Sequence, residues 1–152
     1  MINPKLQFLL ETVALEREHL AHTNTRLFAQ AMTAQRAATL RTDPDLAERV
    51  DAFVARFGRL QDTLGDKVLP ELLKTLAEPV GPAIDNLGKA ERFGWLPSVD
   101  QWLLVRQLRN RMIHEYVRDP QELAQALQTA HEAVPLLDTV ADHLAQAAAA
   151  RA

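Results

Sequence analysis

The chain has 152 residues, the size of about one domain, and 47% of them are hydrophobic, which argues against disorder and for a single packed core. It contains no cysteine, so disulfides, thiolate nucleophiles and Cys-ligated metal centres are excluded. A formal net charge of −3 means that the molecule as a whole does not attract nucleic acid, and any such contact needs a local basic cluster.

Abundant Ala and Leu with few aromatics favour helices, and helix punctuation divides the chain cleanly. Asn3-Pro4 predicts a first helix through Leu6, Leu9, Leu10, Val13 and Leu20, with a break near His22-Thr23-Asn24 and a continuation to about Leu40. Lys5, Glu11, Glu16 and Arg17 interrupt this segment, which leaves no uncharged secretory core. Asp43-Pro44 opens a second helix, where Leu46, Val50, Phe53, Val54, Phe57, Leu60 and Leu64 form an apolar stripe. Gly65 and Pro70 are expected to kink or interrupt it. A loop follows at Glu78 to Pro82, then a short helix from about Ala83 that stops at Gly94. Ser98 with Gln101 caps the next helix, and Asp119-Pro120 with Glu122 caps the last, which Pro135 should bend. The expectation is an all-α protein: an antiparallel four-helix bundle with an additional short helix, one domain over residues 1–152, with 146–152 a frayed tail. No apolar run reaches the roughly 20 residues needed to cross a bilayer, and a cytoplasmic location is the default expectation.

The basic cluster lies between Arg106 and Arg118, where Arg106, Arg109, Arg111 and Arg118 face only Glu115. On charge alone such a cluster is more often a solvated helix face than a binding site. Placed on a helix at about 100° per residue, Leu104, Val105, Leu108 and Met112 form a core side. Arg106, Asn110 and His114, four apart, lie along a polar line. Arg109 and Tyr116 flank the core side. Arg109 and His114 differ by about 140° and do not converge on one straight helix. A shared groove needs either a distorted helix end or a second subunit.

The run Arg109-Asn110-Arg111-Met112-Ile113-His114-Glu115-Tyr116 resembles the R-x4-H-x-Y signature, often with Asn after the Arg, of the HepT branch of the HEPN superfamily. Phe57-Gly-Arg-Leu-Gln-Asp-Thr-Leu-Gly65 resembles that family's second-helix segment, and Leu87 to Trp102 resembles its approach to the arginine helix. The resemblance spans roughly residues 40–118. It implies a HEPN-like helical bundle, a homodimer, and a cognate nucleotidyltransferase antitoxin of the minimal MNT type. It also implies a HepT/MntA-type toxin that cleaves RNA by metal-independent acid/base chemistry, with no cofactor, and that is silenced by adenylylation. His114 would then move protons, since imidazole titrates near about 6.5, and Arg109 would clamp phosphate through paired donors. Arg106, Asn110 and Arg111 would bind or orient RNA, and Tyr116 would accept AMP or contact substrate.

A plainer reading stands beside this one: Arg109 pairs with an acid near the core, His114 caps a helix end and Tyr116 buries its ring. A non-catalytic, nucleotidyltransferase-associated substrate-binding subunit is the functional alternative. A dimeric scaffold would leave the arginine cluster unexplained. His19 and His22, near Glu16 and Glu18, have a spacing a metal could use, but no matching ligand pair recurs elsewhere, so no metal site is assigned. His131 and His143 are expected to face solvent, and Trp95 and Trp102 to serve packing.

Overall fold

A computed structural model describes residues 3–116 and 118–150, and these are all-helical, with no strand among them. Helix α1 spans Pro4–Leu27, α2 Ala34–Ala38, α3 Pro44–Asp62, α4 Leu69–Thr75, α5 Ala83–Arg92, α6 Val99–Glu115 and α7 Pro120–Ala149. Val117, at the end of the arginine-bearing segment, and Arg151-Ala152 of the tail lie outside the described residues.

The start signals work through side-chain oxygens that accept from otherwise orphaned amides. Asn3 accepts from the Leu6 N–H at 2.7 Å, Asp43 from Leu46 at 3.1 Å, Ser98 from Gln101 at 3.1 Å and Asp119 from Gln121 at 3.0 Å. At the end of α5, Gly94 takes a φ of +78°, while the Gly94 and Trp95 amides donate back to Glu91 and Ala90. This is the glycine-terminated helix stop that the sequence predicts. The end of α4 has the same bond pattern with Ala77 at φ +59°, a left-handed position that suits an alanine poorly.

Two interruptions fall differently from expectation. Helix α1 runs straight through His22-Thr23-Asn24, because Thr23 is buried and accepts from Arg56 while Asn24 pairs with His131. The chain turns only after Leu27, where the Arg36 guanidinium donates to the Leu27 and Gln30 carbonyls. Gly65 does not break its helix either. Thr63–Val68 form one widened π-helical turn that joins α3 to α4, and buried Leu64, Val68 and Leu69 hold this turn on the core. Helix α7 continues through Pro135 and reaches Ala149, with Ala148 buried, beyond the point where the sequence predicts fraying.

Long-range pairs give the helix directions. Arg17 on α1 meets Asp138 and Asp142 on α7, whereas Asn24 meets His131. Likewise Trp102 lies by Gly65 and Arg109 by Gly58, and Arg111 reaches Glu122 and Gln125. Across the α1–α7 and α3–α6 pairs one helix is read forward as its neighbour is read backward. Leu6, Leu20, Phe53, Phe57, Leu72, Trp102, Met112, Leu127 and Leu137 fill the space between them. No helix among the described residues is long and apolar enough to cross a membrane.

Candidate functional site

Helix α6 carries every residue singled out for chemistry except Tyr116, which is its C-terminal cap residue. Trp102, Val105, Leu108 and Met112 are buried and fix how the helix rolls against the core. Leu104, expected on that face, is 65% exposed, because it falls at the α7 edge of the buried arc. Ile113 is 57% exposed on the opposite edge. Between these edges Gln107, Asn110 and His114 point outward and are exposed.

Arg106, Arg109 and Arg111 are not free cations. Arg109 Nη1 donates to Asp62 Oδ2 at 2.7 Å. The Arg106 guanidinium forks onto the Asp66 carboxylate at 2.9 and 3.4 Å and lies 3.8 Å from Asp62. Arg111 turns the other way, donating to Glu122 at 2.9 Å on α7. Three of the four arginines of the cluster that looked basic along the sequence are thus paired with carboxylates that arrive from α3, the π-turn and α7. Arg109 pairing with an acid beside the core is what the plainer reading of the sequence expects.

His114 behaves differently. Its side chain is 59% exposed, and its nearest charged neighbour is Glu115, at 3.7 Å, beyond hydrogen-bonding distance. Tyr116 packs partly against the core, and burial together with the nearby Asp51 charge raises its phenol above its usual titration range. In one chain, then, the structure gathers Arg106 and Arg109 on the α3 edge of α6, leaves Asn110 and His114 on the outer face, and sends Arg111 to α7.

Sequence reasoning missed Asp62 and Asp66, and also Gly58. A side chain at Gly58 would start 2.6 Å from Arg109 Cδ and 2.8 Å from Nε, so the arginine stem lies directly on the α3 backbone. A signal was present, since Gly58, Asp62 and Gly65 recur four and three residues apart within the segment already noted for its family resemblance. Gly65 in turn lies against Trp102, whose indole N–H is buried without a partner.

The remaining candidates separate. Glu16 turns inward to Thr63, and burial, the largest influence, raises its carboxyl above the usual range despite Arg59 and Lys67 nearby. His22 instead lines an open polar groove with Arg26, Arg49 and Arg56. His131 and His143 are half-buried rather than solvent-facing: His131 stacks on Phe28 with ring centroids 4.1 Å apart, and His143 lies 3.3 Å from the Trp95 carbonyl. Trp102 is only 1% exposed, in keeping with a packing role. No protein family, curated protein or solved structure matches this chain.

Proposed function

We propose that the chain is a HEPN-like ribonuclease toxin, with His114 and Arg109 as its catalytic pair and a nucleotidyltransferase of the MNT type as its antitoxin. The observation that carries this reading is the contrast within the R-N-x3-H-x-Y run: the histidine is exposed and without a hydrogen bond among the described residues, while the arginine is held. A neutral imidazole open to solvent is free to take the proton of a ribose 2′-hydroxyl, and a guanidinium stabilises the charge that builds on the attacked phosphate. Arg106 and Asn110 then bind or orient flanking RNA, with Arg111 the least committed because it faces α7.

The angle between Arg109 and His114 leaves the site incomplete in one chain, so the reading includes a homodimer. The outer face of α6, with Leu104 and Ile113 at its flanks, is the surface that a second copy covers. Two motifs then share one cleft. Tyr116 is the acceptor for AMP, and a bulky anionic group there would repel RNA phosphates from the arginines.

One observation favours the alternative, a substrate-binding subunit of a nucleotidyltransferase. Arg106, Arg109 and Arg111 are already paired, which weakens the attraction for bare phosphate. Expression with and without the partner separates the two. A nuclease toxin arrests growth alone, and His114→Ala removes both the arrest and RNA cleavage measured in EDTA. Cleavage that persists in His114→Ala, or growth unaffected by the intact chain, favours the alternative. Intact-mass analysis after incubation with the partner and ATP should show added AMP that is absent from Tyr116→Phe.

A further inference from the structure

Arg109 is fixed at two points one helical turn apart on α3. Its stem crosses Gly58 so closely that any Cβ there would displace it, and its head donates to Asp62. Arg106 extends the same register onto Asp66, which the π-turn carries toward α6. An ion pair as open to solvent as Arg109–Asp62, whose side chains are 42% and 37% exposed, adds little to stability. Its effect lies elsewhere. A free arginine samples many rotamers, and each must be surrendered when the guanidinium meets a phosphate. Here that ordering is done in advance, while the five-donor guanidinium spends only one recorded bond on Asp62 and keeps donors for a ligand.

We infer that Gly58 and Asp62 form a seat that orients Arg109 toward a phosphate, which makes Asp62 a positioning residue of the site. The inference rests on the nuclease reading for its substrate, though the seat itself is a property of the folded chain. A carboxylate touching an arginine has two possible consequences, and they oppose each other. As a seat it raises turnover by holding the donor in line; as a competitor it weakens phosphate binding.

Steady-state cleavage of a fluorogenic mixed-sequence RNA oligonucleotide separates them. With Asp62→Ala, a seat predicts a fall in kcat on the order of 10- to 100-fold, with KM changed by less than about threefold. Asp62→Asn, which keeps an oxygen acceptor at the same place, should restore most of that loss, and Gly58→Ala should repeat it. A lower KM with unchanged kcat in both Asp62 variants would overturn the seat and make Asp62 a competitor. A second readout needs no activity: the Nε–Hε NMR signal of Arg109, assigned by its loss in Arg109→Lys. It should stand apart from the exposed arginines in the intact chain and merge with them in Asp62→Ala. If the intact chain cleaves no RNA, the nuclease reading fails, and the NMR signal alone decides the seat; a signal indifferent to Asp62→Ala and Gly58→Ala overturns it.

Discussion

The two halves of α6 obey different rules. From Val99 to Leu108 the helix is determined by packing: Ser98 caps it, Trp102 fills the space beside Gly65, and the buried Gln61 amide donates to the Trp102 carbonyl at 3.0 Å. From Arg109 to Glu115 only Met112 is buried; Arg109 and Arg111 are held by carboxylates, Asn110, Ile113 and His114 are left outward, and Glu115 is half-buried. The first half sets where the helix lies; the second presents polar groups on a support it contributes little to. Changes to the buried residues of the first half should therefore cost stability, and changes in the second half or at Arg106 should cost function.

Several measurements sharpen or break that division. Trp102→Ala should lose about 3–5 kcal/mol in urea unfolding, the usual result of emptying a large aromatic site. Trp102→Phe should lose far less, under about 1.5 kcal/mol, because the indole N–H has no partner to forfeit. A large loss with Phe would reveal a polar contact to the indole N–H.

Glu16→Gln should stabilise the protein at pH 7, on the order of 1 kcal/mol, since the amide keeps the shape of the side chain and carries no charge to desolvate. The sign follows from the raised carboxyl. The folded state holds this proton more tightly than the unfolded one, so stability is greatest below the ordinary value of 4.5 and falls as pH rises through the folded value. The advantage of Gln should accordingly vanish near pH 4, and thermal melts at the two pH values test it.

In the outward half, His114→Ala and Ile113→Lys should each change monomer stability by no more than about 0.5 kcal/mol. Ile113→Lys should nevertheless dissociate the homodimer in light scattering. If it does not, α6 is not the shared face. The smallest effect belongs to Tyr116, the only tyrosine in the chain. Its absorbance titration should have a midpoint above the ordinary value of 10.0, and a midpoint at or below that value would mean the ring is not buried against the core.

The sequence made the helices legible because their signals are local. Asn3, Asp43, Ser98, Asp119 and Gly94 each act on amides or carbonyls within a few residues. The π-turn was less legible: glycine at position 65 marks a weak point, but only the buried leucines around it decide that the helix widens rather than breaks. The candidate site was half readable. Spacing placed His114 outward and Arg109 toward one edge of the core side. The partners of the arginines, however, depend on how α6 slides along α3 and α7, a register no local pattern encodes. The same holds for His131, whose ring finds Phe28 and Asn24 across more than a hundred residues of chain.

The pairing of Arg17 with Asp138 and Asp142, and of Asn24 with His131, has a consequence for the chain's connectivity. Followed outward from these contacts, the start of α1 and the end of α7 emerge on the same side, offset along the helix axes by less than about 10 Å at the helical rise of about 1.5 Å per residue. A linker of roughly five flexible residues spans that gap. The order in which the helices are synthesised is then separable from the order in which they pack. A circular permutant joined there and opened in the loop between α4 and α5 should keep the same core, with α5 alone between its new start and the arginine helix.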